Sequence, residues 1–247
     1  MRGKLIVIEG LDGSGKQTQA ELLVKRMKEE WNLPVMHVAF PAYENDSSIL
    51  VKKYLNGDYR NVYETHNQRH VFIRQMSSFY AVDRVSTFIE QTFDGKSLIE
   101  LLNEGMNIVC DRYTTSNIMH QSANILLQED IRKYIEWIEG LEYHYLGLPA
   151  PDKVLFLDVL PKISVDNIKK RYNGEPQEDI LENIEHLTET YKNKSFIIKE
   201  CGWDRINCCN HKEELLSIEL IHEFVSQKVY ELFEHGTLDN VLEAINQ

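Results

Sequence analysis

Short apolar runs alternate with longer stretches of helical spacing along the chain. Leu5 to Ile8, Val35 to Ala39, Asn107 to Cys110, Lys153 to Asp158 and Trp203 to Cys208 read as buried strands. Leu22, Leu23, Arg26 and Met27 then predict an amphipathic helix that closes before Pro34. Asp46-Ser47-Ser48 opens a short helix and Asn56-Gly57-Asp58 stops it. A long helix is expected from Thr65 to Phe93, with Val71, Phe72, Gln75, Phe79, Val82 and Ser86 along its packed side. Its length suits an element that crosses the domain or a dimer interface. Further helices are expected at Lys96 to Glu104, Ser116 to Gln128, Asp130 to Tyr143, Lys162 to Tyr172, Gln177 to Glu200 and Glu213 to His235. Gly236-Thr237 reads as a stop and a restart into a last turn. Strands alternating with helices imply a parallel sheet covered on both faces.

The first strand runs directly into Gly10-Leu11-Asp12-Gly13-Ser14-Gly15-Lys16-Gln17-Thr18. Gly10 and Gly15-Lys16 have the spacing of a phosphate cradle, in which backbone N–H groups curl around a polyphosphate and the lysine reaches its outer phosphates. The helix that follows adds the positive end of its dipole. The position after the lysine normally carries a metal-binding hydroxyl. Here it is Gln17, and the hydroxyl is displaced to Thr18. A divalent metal is therefore expected to be held by phosphate oxygens and water, with Gln17 or Asp12 acting through water.

Other charged residues fall where ligands of such sheets bind. Asp111-Arg112-Tyr113 follows the third strand, at the carboxyl end. Lys169-Lys170-Arg171 ends a helix, and the polar turn Asn173-Gly174-Glu175-Pro176 comes next, a pattern that suits a mobile lid over phosphates. The chain has 247 residues, 43% of them hydrophobic, with no linker, which predicts a single domain. A net charge of -12 argues against a nucleic-acid partner. No apolar run is long enough to span a membrane and no signal peptide is evident, so the expected address is the cytoplasm. Cys110, Cys201, Cys208 and Cys209 lack metal-binding spacing and read as reduced thiols.

Several stretches in order resemble the thymidylate kinase family, of the bacterial kind, within the nucleoside monophosphate kinases. They are the cradle with Glu9 and Asp12, Phe40-Pro41, Tyr80-Ala81-Val82-Asp83-Arg84, Asp111-Arg112-Tyr113 with Ser116, Gly147-Leu148-Pro149 with Pro151-Asp152, and Leu157-Asp158-Val159. The resemblance covers residues 4 to about 230 and implies an α/β P-loop NTPase fold, a five-stranded parallel sheet with helices on both faces and a mobile lid at about 169–178. It implies transfer of the γ-phosphoryl of ATP to dTMP, with Mg²⁺, in a homodimer. Residue by residue, Gly10 to Thr18 would bind ATP, and Lys16 its β- and γ-phosphates. Asp12 would lie near the sugar hydroxyl and the metal-bound phosphates, and Arg112 would clamp the acceptor phosphate. Tyr80 would stack on the base, Arg84 bond its edge, and Phe40 pack on the nucleoside. Ser116, Asn117 and Gln121 would contact base and sugar, although Ser116 is equally a helix N-cap by sequence. His120 stands where an aromatic residue is frequent. The family keeps a catalytic arginine in the cradle or in the lid. Leu11 to Ser14 contain none, so Arg171, with Lys169 or Lys170, is the expected lid cation. Two alternatives stay open: a kinase for another monophosphate, and a P-loop module that turns nothing over.

Overall fold

The computed structural model of the chain describes residues 1–59, 66–123, 125–171 and 179–245, with backbone alone for 66–69, 179–183 and 234–245. Strands β1 (Leu5–Gly10), β2 (Val35–Ala39), β3 (Asn107–Asp111), β4 (Lys153–Asp158) and β5 (Asp204–Asn207) form one parallel sheet in the order β2-β3-β1-β4-β5. The expected P-loop α/β architecture is what the chain adopts.

β1 lies at the centre and every residue of it is buried. Its apolar run is continuous because both faces are covered, yet the two faces pack against different helices. Ile6 and Ile8 join Val109, Leu155 and Leu157 under Ala20, Leu23 and Met27 of α1 (Lys16–Glu29) and Ile221, Val225 and Val229 of α9 (Ile218–Ile245). Leu5 and Val7 join Ile108, Cys110 and Val154 on the other face, under Phe88 of α3 (His66–Ile89) and Leu98 and Leu102 of α4 (Leu98–Asn103). A capping box starts α4, Ser97 Oγ accepting from the Glu100 N–H while the Glu100 side chain accepts from the Ser97 N–H. A third cluster places Ile118 of α5 (Thr114–Ser122), Ile131, Tyr134, Ile135 and Ile138 of α6 (Gln128–Glu139) and Ile197 of α8 (Asp179–Cys201) against Phe156. α2 (Ile49–Leu55) and α7 (Pro161–Arg171) complete the α-helices of the described residues.

Several sequence expectations are corrected here. The long helix ends at Ile89 rather than Phe93. Its packed side is Ile73, Met76, Ser77, Ala81, Arg84 and Phe88, whereas Val71 and Val82 are exposed. Both stripes have helical spacing, and a buried arginine decided the choice, because its counter-ion lies in another part of the sequence. The helix expected from Ser116 to Gln128 stops at Ser122, and α6 then starts at Gln128. Beyond Glu139 the helix expected to reach Tyr143 widens into a π-helical turn, Gly140–Tyr145, which carries the fully buried Glu142. α9 begins five residues later than expected at Ile218, since Glu213 adopts φ 61° and Leu215 bridges back to Cys209. It then runs through Gly236 to Ile245 without the stop read there. A glycine inside a helix costs only about 1 kcal/mol, too little to break it unaided. The expected lid falls largely on residues 172–178, outside the described residues. No helix of the described residues is long and apolar enough to cross a membrane, and the four cysteines are free, with Cys110, Cys208 and Cys209 buried.

Candidate active site

The loop between β1 and α1 is shaped by what surrounds it. Gly13 has φ 79°, and a Cβ there would lie 2.2 Å from the Ser164 carbonyl oxygen of α7. Asn167 of the same helix donates through Nδ2 to the Gly13 carbonyl at 2.9 Å, and Leu11 packs against Val165 and Leu187. Gly15, at φ 88°, is the N-cap of α1; it provides no side-chain cap, and the first turn contains no acidic residue. The helix start therefore presents its N–H groups to an anion. Lys16 is buried and its Nζ donates to the carbonyls of Gly10 at 2.9 Å and Leu11 at 2.8 Å. Burial, then the Arg112 charge, pull its pKa down to about 8.

Glu9, at the end of β1, is fully buried and saturated: Oε1 accepts from the Gly10 N–H at 2.9 Å, and Oε2 accepts the hydroxyls of Thr115 and Ser116, each at 2.7 Å. Ser116 thus lies in the first turn of α5 with its hydroxyl turned to Glu9, and it is not the N-cap, which is Tyr113. Arg112, at φ 68°, turns back over the cradle; Nη2 pairs with Asp12, and Nη1 reaches Ser116 Oγ at 3.4 Å and His120 Nε2 at 3.0 Å. Asp12 Oδ1 is also 3.9 Å from Lys16 Nζ. Burial alone would raise the Asp12 carboxyl, but Arg112 and then Lys16 hold it well below the usual carboxylate range.

Beside the cradle opens a cleft of about 280 Å³. Asp12, Phe40, Tyr80, Arg84, Arg112, Ser116, Asn117 and Gln121, all expected to meet the acceptor, line it together. Phe40, joined to Pro41 by a cis peptide bond, stacks on Phe88 at 6.1 Å, and Asp83 pins the loop beyond it, accepting from the Ala42 N–H at 2.9 Å and the Ser47 hydroxyl at 2.7 Å. Tyr80 meets the edge of Tyr54 at 6.3 Å. Arg84 is buried, its Nε donating to Glu142 Oε2 at 2.7 Å and its Nη2 pairing with Oε1. Nη1 donates to the Tyr113 carbonyl at 3.4 Å. Glu142 also accepts from Thr114 Oγ1 at 2.6 Å and from Asn117 Nδ2 at 3.3 Å.

Three expected residues stand apart. Gln17 is exposed and donates along α1 to Glu21 Oε1 at 2.9 Å, Thr18 is exposed as well, and Arg171 ends α7 on the surface. The carboxylate that does suit a metal is Asp111, whose buried Oδ1 has no hydrogen-bond partner and whose pKa is raised by burial. No group of three or more His, Cys, Asp and Glu able to hold a metal occurs among the described residues. Sequence reasoning missed Glu142, His186, Tyr43 and Tyr54 as neighbours of the cleft. Nothing in their local spacing marks them, since each is brought there by a separate element.

A polyphosphate cradle and an arginine-lined cleft that share one carboxylate make a P-loop kinase acting between two small phosphorylated molecules. Comparison with known proteins narrows that class. The family model described as thymidylate kinase matches residues 8–217. The thymidylate kinase of Plasmodium falciparum is 27% identical over 228 residues, 92% of this chain and 92% of that protein. That of Schizosaccharomyces pombe is 28% identical over 242 residues, 96% and 97% of the two chains, and the probable thymidylate kinase of Methanococcus aeolicus is 26% identical over 237 residues, 92% and 98%. The chain belongs to the thymidylate kinase family. The matching relatives include eukaryotic, archaeal and bacterial proteins, so they do not single out a bacterial kind.

Two outcomes follow. Glu142→Ala leaves Arg84 charged and buried without its partner, which should lower unfolding stability by about 3–5 kcal/mol in urea titration. The double change Arg84→Met with Glu142→Leu should recover most of it, and a single-variant loss under about 1 kcal/mol would contradict the pair's structural role. Lys16, at about 8 in the ligand-free protein, should regain a high pKa when phosphates surround it. Between those two values binding takes up a proton. Calorimetry of ATP binding at about pH 8.5, in buffers of different ionisation enthalpy, should show that uptake, and equal heats in all buffers would refute it.

Proposed function

We propose that the chain transfers the γ-phosphoryl of ATP to dTMP, with ATP on the cradle and dTMP in the cleft. The observation that carries this reading is Asp12, whose carboxylate lies against Arg112 on the cleft side and 3.9 Å from Lys16 on the cradle side. Transfer needs donor and acceptor phosphates in line and their charge neutralised, and it needs no nucleophilic side chain. Gly10 to Thr18 supply the backbone and Lys16 the charge for the donor. Arg112 leaves Asp12 to clamp the acceptor phosphate in bidentate fashion. Tyr80 and Phe40 enclose the base and sugar, Nη1 of Arg84 meets the base edge, and Ser116, Asn117 and Gln121 complete the wall. Mg²⁺, when bound, neutralises charge on the donor phosphate oxygens, and Asp111, with Gln17 or Asp12 through water, would hold it. Arg171 is the proposed lid cation. We further assign the chain a single domain, a cytoplasmic setting and a homodimer through the exposed stripe of α3 that includes Val71 and Val82.

A coupled assay over a panel of monophosphates tests the substrate. dTMP should be phosphorylated far better than dCMP, whose C4 amino group offers donors where thymine offers an acceptor to Arg84, and thymidine should be very poor because it lacks the phosphate that draws Arg112 from Asp12. Arg112→Ala should weaken dTMP and dCMP about equally. Preference for dCMP, AMP or GMP would overturn the thymidylate reading and keep the kinase. The lid is tested separately: Arg171→Ala should lower kcat by on the order of 10³-fold with little change in the KM for dTMP. Wild-type kcat in that variant would move the role to Lys169 or Lys170.

A further inference from the structure

The acceptor cleft contains a histidine pair that the transfer reaction does not use. His120 of α5 and His186 of α8 both line it, and their facing nitrogens, His120 Nδ1 and His186 Nε2, are 3.4 Å apart. The ring planes differ by 18° and the centroids are 5.6 Å apart. That separation is what the nitrogen gap and the two ring radii add to along one line, so the rings meet edge to edge rather than face to face. The other nitrogen of His120, Nε2, lies 3.0 Å from Arg112 Nη1.

The direction of this chain is fixed by its first member. Arginine can only donate, so His120 Nε2 must accept, which puts the proton of a neutral His120 on Nδ1 and makes Nδ1 the donor to His186 Nε2. The surroundings favour that neutral form. Burial, and then Arg112, bring the His120 pKa down to about 3, with Lys16 adding to the effect and Asp12 opposing it. Burial lowers His186 as well.

We propose that His120 and His186 are positioning residues, a hydrogen-bonded relay that fixes the guanidinium of Arg112 and ties it to α8. The tie matters because α8 also touches the donor side. Leu187, next to His186, is fully buried against Leu11 of the cradle and Val165 of α7, and Asn193 anchors the same helix to α5 through the Ser122 carbonyl at 3.1 Å. One helix therefore senses the arginine of the acceptor and the loop of the donor. Nη2 is the side that exchanges Asp12 for the acceptor phosphate, while Nη1 keeps its bond to His120 Nε2, so the relay holds the guanidinium in the orientation the phosphate needs and couples that orientation to the seating of α8. The proposal rests on Arg112 being the acceptor clamp.

Two measurements test it. In the wild-type protein, long-range ¹H–¹⁵N spectra should show His120 as the neutral Nδ1–H tautomer near neutral pH. An Nε2–H tautomer or an imidazolium would overturn the relay without any mutation. In kinetics, His186→Ala should raise the KM for dTMP about tenfold while the KM for ATP moves less than about twofold, the loss of one hydrogen bond on the acceptor side. His186→Phe, which fills the space but cannot accept, should behave like the alanine variant. His186→Gln, whose amide oxygen reaches the Nε2 position, should return the KM to within about twofold of wild type. Wild-type KM in the phenylalanine variant would assign His186 a packing role and overturn the proposal. A wild-type protein inert toward dTMP would instead refute the acceptor reading beneath it, and the two failures are told apart by the wild-type assay alone.

Discussion

The site hangs on the ion pair between Asp12 and Arg112. A hundred positions separate these residues in sequence, and they meet because β1 and β3 are parallel neighbours in the register Ile8↔Asp111. In a parallel sheet the residues just past two adjacent strands emerge at the same edge, so the loop after β1 and the turn after β3 share one crevice. Arg112 enters it through an uncommon backbone conformation, φ 68°, with its N–H bonded to the Ile8 carbonyl at 3.2 Å. For a residue other than glycine that geometry costs about 1–2 kcal/mol. It persists because the strand pairing on one side and the charge partners on the other both require it, which is how strain comes to sit at functional positions.

Around that pair the crevice is built from buried carboxylates whose partners are all fixed. Glu9 joins β1 to the start of α5 through two hydroxyls, Glu142 joins the π-helical turn to α3 through Arg84, and Asp83 joins α3 to the loop after Phe40. Replacing such groups with apolar ones is often neutral or stabilising. What they provide is placement: each constrains a different element to within hydrogen-bond tolerance, and each lies next to a residue that faces the cleft. The sheet supplies the free energy, and these polar ties convert it into position.

This division explains what the sequence discloses. The cradle is legible because its information is local: strand, glycines and lysine lie within a few consecutive residues, and the apolar runs mark all five strands, β4 to the residue. Arg112, Phe40 and Tyr80 were legible through a resemblance carried by stretches of similar kind. The face of α3 was not, since Val71 and Val82 are as apolar as Ile73 and Met76, and the deciding residue is Arg84, whose partner Glu142 is 58 positions away in an element that local spacing misreads as ordinary helix. His186 is invisible for the same reason. Its role is defined by His120 across a helix interface, and neither residue carries a pattern of its own. Gln17 shows the reverse limit: a motif position was legible, but the side chain there turns along α1 to Glu21.

A chain with net charge -12 that binds two phosphorylated nucleotides needs local cations strong enough to overcome a repulsive background. Lys16, Arg84 and Arg112 are the cations proposed for that task, and each is already engaged, Lys16 with carbonyls and Asp12, Arg84 with Glu142, Arg112 with Asp12. Phosphate binding is therefore an exchange of partners. For Arg84 the exchange is closed, because Glu142 is fully buried and holds it, which fits the proposed contact with a base better than one with a phosphate. For Arg112 it is open, because Asp12 is partly exposed and a released carboxylate can turn to water or to the hydration shell of a metal. A phosphate dianion outbids a single carboxylate for a planar guanidinium, and the surplus is the part of the binding energy that appears when the acceptor arrives. In the proposed reaction, the same acidic partner that keeps Arg112 in place without ligand would become, once displaced, a free carboxylate between donor and acceptor, where charge has to be managed during transfer.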